Sequence, residues 1–220
     1  MTNEVEPKRI QPGVGHDASN AGNPPKLVVL TGGPGAGKTA VLEVVRMHLP
    51  AHVQVLGEAA SIVFGGGFPR RQTAAATRAA QRAIFHVQRE LERLATEEGD
   101  ARVVICDRGT LDGLAYWPGD PDELLREMGT TLAAELARYA AVIHLKTPSI
   151  EQGFSHASNP LRIESADEAT RLDARIQEVW SSHPRRLVVE STSDFLGKLA
   201  RVLAAIGAEL DASLDGQRGR

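Results

Sequence analysis

Residues Thr31 to Thr39 read TGGPGAGKT, between the apolar run KLVVL and the amphipathic AVLEVVRMHL. Their types and spacing suit the holding of a phosphate chain. Gly32, four intervening residues, then Gly37, Lys38 and Thr39 satisfy the full phosphate-loop pattern, with a strand expected before it and a helix after. Glycines are needed because the backbone must turn its N–H groups inward around phosphate oxygens, a conformation that side chains obstruct. The helix that follows adds the positive end of its dipole. Lys38 is expected to bridge the terminal phosphates, and the Thr39 hydroxyl to ligate Mg²⁺. The expected binding set is Gly32, Gly33, Pro34, Gly35, Ala36, Gly37, Lys38, Thr39 and Ala40.

A second group lies in VVICDRGTLDG. Asp107 closes an apolar strand, and ligands of open α/β sheets bind at the carboxyl ends of strands. Its expected role is to hold Mg²⁺. Arg108 stands where motor ATPases carry a water-activating glutamate; a guanidinium stabilises transferred charge but is a poor base. The competing reading is a strand-end Asp–Arg pair. Asp112 is either a further polar group of the site or a helix cap. Glu58, in VQVLGEAAS, either meets the acceptor of the phosphoryl group, as base or ligand, or caps the helix starting at Ala59. Arg162 is either a lid arginine, with Glu164 placed to position it, or solvated charge; Arg171 reads as solvated charge. Arg70 and Arg71 stand at the mouth of a long helix. Arg78 and Arg82 share a face of that helix, and either line an anionic acceptor pocket or face solvent. The seven histidines show no metal-ligand spacing, so nucleotide-borne Mg²⁺ is the one metal expected.

Five short runs rich in Val, Ile and Leu must position these residues: 26–31, 53–57, 102–107, 140–146 and 186–191. Helical segments alternate with them, at 37–49, 72–98, 121–138, 165–181 and 194–210, with Ala79, Ala83, Val87, Leu91 and Leu94 as the apolar stripe of the longest. The pattern predicts one α/β sandwich around a parallel sheet, at 26–210, between flexible tails at 1–25 and 211–220. Segments 64–71 and 152–164 read as its movable loops. At 220 residues, 42% apolar and 24% charged, the composition suits a globular domain. A net charge of −3 gives no electrostatic case for nucleic acid or an anionic membrane. The single cysteine, Cys106, excludes an internal disulfide, and with no signal-peptide core in the first 25 residues a cytoplasmic setting is expected.

In order, GGPGAGKT, GEAA, CDRGTLDGLAYW and NPLRIES…EATRLDARIQEVWSSHP resemble the AAA_28 group of P-loop proteins, over about Lys26 to Ile206. That group is related to the nicotinamide riboside kinase domain of the bacterial NAD-biosynthesis regulator. More distantly it is similar to thymidylate and deoxynucleoside kinases, which place an Asp-Arg or Glu-Arg pair after their third strand. The resemblance implies a sheet in the order 2-3-1-4-5. It also puts ATP phosphates on Gly35, Gly37, Lys38 and Thr39, with Glu58 as base or acceptor ligand, Asp107 and Arg108 at the centre, and Arg162 in a lid. The Asp-Glu pair and extra helical domain of ring motors are absent.

The expected activity is phosphoryl transfer from Mg-ATP to a small-molecule acceptor, with GTP left open as the donor. The alternative is a nucleotide-binding switch that hydrolyses slowly and acts through a partner.

Overall fold

The fold comes from a computed structural model that describes residues 24–48, 52–148, 166–191 and 194–218. Five parallel strands, β1 (Lys26–Thr31), β2 (Val53–Leu56), β3 (Val103–Asp107), β4 (Tyr139–Leu145) and β5 (Arg186–Val189), form one sheet in the order β2-β3-β1-β4-β5. This is the order that the resemblance implies. β1 is central, with Leu30 in register with Asp107 on one side and Ile143 on the other. The phosphate loop therefore leaves the sheet between the ends of β3 and β4.

Both faces of the sheet are covered, and the two-residue period of the strands divides the core accordingly. Val28, Leu30, Val103, Ile105 and Ile143 pack against Val41, Leu42 and Val45 of α1 (Lys38–His48), and against Leu199, Val202 and Ile206 of α8 (Phe195–Arg218). Val29, Val104, Cys106 and Val142 face the other way. They meet Leu111, Trp117, Leu124, Ile176 and Trp180, carried on or beside α4 (Asp112–Tyr116), α5 (Asp122–Glu127) and α7 (Ala166–Val179). α2 (Ala59–Gly65) and α3 (Ala74–Glu98) complete that side, and α6 (Leu132–Leu136) leads into β4.

Three departures from the sequence reading have local causes. Residues 121–138 form two short helices, because Gly129 takes φ +67° and Thr131 then caps α6 by accepting from the Ala134 N–H. α8 runs on to Arg218, about three turns beyond buried Ile206. On α3, capped by Thr73, the buried stripe is Gln81, Phe85, Gln88, Glu92 and Ala95, while Leu94 is 51% exposed. Polar residues occupy the core face of that helix, so an apolar count selects the neighbouring face.

Candidate functional site

The phosphate loop turns on three glycines in the left-handed region, Gly32 (φ +139°), Gly35 (φ +83°) and Gly37 (φ +87°). A Cβ on Gly32 would collide with the Leu145 carbonyl oxygen, which fixes how closely the loop lies against β4. Lys38 begins α1 and folds back over the loop, its ammonium donating to the carbonyls of Gly32 (2.8 Å) and Gly33 (3.2 Å). Burial pushes its pKa down to about 8 and the Arg108 charge adds to this, against the opposing pull of Asp107, Glu58 and Asp112.

Arg108, just past β3, is the one non-glycine residue with positive φ (+72°) among the described residues. Such strain persists where surrounding contacts enforce it. Here the guanidinium donates to Glu58 (Nε to Oε1, 2.8 Å), to the Gly32 carbonyl (3.2 Å) and to Asp112 (3.2 Å), and lies 5.9 Å from the Tyr116 ring centre. Burial works against its charge, but Tyr116, Glu58 and Asp112 more than offset that, and the pKa rises. Burial likewise pushes the Glu58 carboxyl up. The Arg108 charge and the Ser61 hydroxyl, 2.5 Å away, outweigh it and hold the pKa at about 2.

Glu58 stands at the N-cap position of α2 without a side-chain capping bond, so its carboxylate is committed to Arg108 and Ser61. Asp112 stands in the first turn of α4, whose N-cap residue is Leu111. It accepts from the Thr31 hydroxyl, the Gly109 N–H (3.0 Å), the Trp180 indole N–H (3.2 Å) and Arg108, and so fixes the arginine from beneath. Asp107 points Oδ1 into a buried position with no hydrogen-bond partner among the described residues, and burial raises its pKa while Lys38 opposes. An orphaned carboxylate oxygen beside a phosphate loop suits a divalent cation, with Thr39 as the companion oxygen donor. No group of three or more His, Cys, Asp or Glu able to hold a metal occurs among the described residues.

Lys38, Thr39, Glu58, Asp107 and Arg108 line one cavity of about 410 Å³, together with Pro34, Gly35, Ala36, Gly37 and Ala40 of the loop. Gly32 and Gly33 lie behind it, as backbone supports. The cavity continues between α2 and α3, over Phe64, Ala80, Ile84, Phe85 and Tyr116, with the amide side chains of Gln81 and Gln88 and the arginines Arg70 and Arg71. Arg70 lies over the Phe64 ring at 5.0 Å. Arg78 and Arg82 do not line it; they pair with Glu123 (3.0 Å) and Glu127 (2.8 Å) and tie α3 to the α5 side. The positions of Arg162 and Glu164, and the expected loop at 152–164, fall outside the described residues. Arg171 is exposed on α7.

Sequence reasoning passed over Asp173, Lys198, Gln81 and Gln88. Asp173 occupies a core position of α7, in the stripe Ala169, Leu172, Asp173, Ile176, and accepts from the Gly33 N–H at 2.7 Å. A polar residue on the buried stripe of an amphipathic helix was the available signal.

Residues 27–195 match the AAA_28 family, described as an AAA domain. This chain belongs to that family. Among solved structures, the AAA_28 chain is similar to a deoxyadenosine kinase from M. mycoides with bound dATP. The TM-score is 0.60 and the identity 12%, over 83% of this chain and 99% of that one. At that identity the likeness is one of fold: the P-loop kinase sheet with its helices. No curated protein matches the chain. Trp180 supports the site by donating its indole N–H to Asp112, while His183 bonds the Tyr139 backbone oxygen at the far end of β4, at 2.9 Å.

Proposed function

We propose that this AAA_28 protein is a small-molecule kinase, transferring the γ-phosphoryl group of Mg-ATP to a nucleoside- or nucleotide-like hydroxyl or phosphate. The observation that carries this reading is the continuity of the cavity. Phosphate loop, Arg108 and Glu58 open into an apolar, half-enclosed space between α2 and α3 rather than directly into water. Such a space suits an organic acceptor with flat apolar faces, with Gln81 and Gln88 offering amide hydrogen bonds. Excluding water is what favours transfer over hydrolysis.

In this reading the acceptor oxygen attacks the γ-phosphorus as the bond to the β-phosphate oxygen breaks, leaving ADP and a phosphorylated product; where the acceptor is a hydroxyl, its proton passes to an oxygen of the transferred phosphoryl group and from there to solvent. Lys38 and Arg108 stabilise negative charge on the phosphoryl oxygens. Magnesium bound with the nucleotide would supply further charge neutralisation, held by Thr39 and Asp107. Glu58 accepts a hydrogen bond from the acceptor hydroxyl. A carboxylate held at about 2 is a weak proton store, so its part is orientation. Phosphoryl transfer asks mainly for positioning and electrostatics, which fits a site rich in fixed charges and poor in bases.

The test is a phosphoryl-transfer screen with Mg-ATP or Mg-GTP and a panel of nucleosides, nucleotides, sugars and amino-alcohols, read by mass spectrometry. A new product that vanishes in Lys38→Ala supports the kinase and identifies its acceptor class. Tight nucleotide binding without product from any acceptor would overturn it in favour of a slow switch.

A further inference from the structure

The phosphate loop is held from outside as well as within. On its outer side the Gly33 N–H donates to Asp173 Oδ1 at 2.7 Å. The same oxygen lies 3.1 Å from Nε2 of His144, and the Thr147 N–H also donates to this carboxylate. His144 is fully buried and its Nδ1 has no partner among the described residues, so the ring presents its N–H at Nε2 to Asp173. A carboxylate taken out of water at a core position of α7 is costly unless hydrogen bonds satisfy it. Three donors here do so.

Peptide planarity gives this contact a consequence. The Gly33 N–H and the Gly32 C=O belong to one peptide unit and point in opposite directions. Drawing the N–H out to Asp173 turns the Gly32 carbonyl inward, where it accepts from Lys38 Nζ (2.8 Å) and Arg108 (3.2 Å). One peptide thus connects α7 to both cations of the site. A counterpart lies four residues on. Buried Lys198 of α8 donates to the Ala36 carbonyl at 3.1 Å, which turns the N–H of Gly37, in the same peptide, away from Lys198 and toward the cradle. There is no room to improvise at Gly33, where a Cβ would stand 2.5 Å from the Thr147 hydroxyl and 2.8 Å from the Asp173 Cβ.

We propose that Asp173 is a positioning residue for nucleotide binding, which acts through the Gly32–Gly33 peptide to place Lys38 and Arg108, with Lys198 orienting the Gly37 N–H from the opposite side. The proposal rests on reading this loop as the nucleotide site. Two measurements keep it separate from that reading: the dissociation constant for a fluorescent ATP analogue with Mg²⁺, and the amide proton shift and exchange rate of Gly33 by NMR.

Asp173→Asn keeps an oxygen acceptor and is expected to weaken binding by about threefold, whereas Asp173→Leu, of similar size without an acceptor, weakens it by about tenfold or more. The Gly33 amide moves upfield and exchanges faster in the leucine variant than in the asparagine one. If Asp173→Leu fails to fold, Lys198→Met decides, with an expected loss of about tenfold at unchanged Gly33 shift. Binding within twofold of wild type in folded Asp173→Leu, or in Lys198→Met, would overturn the proposal. So would equal losses in the asparagine and leucine variants, since charge rather than hydrogen bonding would then be at work. A wild-type protein that binds no nucleotide would instead sink the kinase reading, and a Gly33 amide indifferent to Asp173→Leu would still count against the positioning role.

Discussion

Lys38 carries the charge most sensitive to conditions. Burial and Arg108 bring its pKa down to about 8, so the ammonium that phosphate needs begins to disappear just above neutrality. Bound phosphate favours the protonated form. ATP affinity is therefore fully present below about pH 8 and falls as pH rises through it, by up to about tenfold per pH unit until the bound-state pKa is reached. Dissociation constants between pH 7 and 9.5 check this, and a flat profile contradicts the buried lysine. Glu58 has the opposite sign. Its folded-state pKa of about 2 lies below the ordinary 4.5, so its pairing stabilises the fold above the ordinary value and is lost as pH falls from there toward 2. Glu58→Gln removes that acid-sensitive contribution and leaves Arg108 with Asp112 and the Gly32 carbonyl. Denaturant unfolding at neutral pH should show a loss of about 1–3 kcal/mol, with nucleotide binding kept and transfer impaired. A variant with wild-type turnover would remove Glu58 from the mechanism.

At the scale of elements, the strands and the phosphate loop were legible because both are local patterns. Apolar runs, a glycine-rich turn and the helix after it need no knowledge of what lies across the sheet. Arg78 and Arg82 were legible only as a pair on one face, since their partners Glu123 and Glu127 come from a helix 45 residues on. Their pairing predicts a modest cost: Arg82→Ala, breaking a half-exposed ion pair, should lower stability by no more than about 1 kcal/mol and leave the acceptor KM unchanged. A large rise in KM would return that face to the acceptor site.

Gly109 makes the contrary case, a residue that sequence alone passes over as one of many glycines. A Cβ there would stand 2.7 and 2.8 Å from Trp180 ring carbons and 3.0 Å from a Val29 methyl. Gly109→Ala therefore has to displace the indole that holds Asp112, and through it Arg108. The expected result is a loss of about 1–3 kcal/mol in stability together with a fall in kcat, because overpacking here moves a catalytic charge. Stability loss with unchanged kcat would show that Arg108 is held independently of Trp180.

The whole molecule places its polar residues where no single segment could reveal them. Asp173, His144, Gln81, Gln88 and Glu92 sit among buried apolar neighbours, and each has a reason only once α3 and α7 lie against the sheet. The cavity belongs to the same scale: its walls come from the phosphate loop, α2, α3 and the turn after β3, brought together by the strand order. A site assembled in this way should report its ligands through global stability, since whatever binds the folded cavity and not the unfolded chain raises the unfolding free energy. A non-hydrolysable ATP analogue with Mg²⁺ at about 100 times its Kd adds about 2.7 kcal/mol. For a domain of this size that raises Tm by about 5–10 °C.

The acceptor provides the decisive increment. If the space between α2 and α3 receives a small molecule beside the bound nucleotide, a fitting nucleoside or nucleotide raises Tm further in wild type. Replacing Ala80 by Leu, which fills that space and leaves the phosphate loop alone, should abolish the second shift and keep the first. A nucleotide shift that no acceptor ever adds to, in a protein that also makes no product, would mean that the cavity serves a switch rather than a transferase.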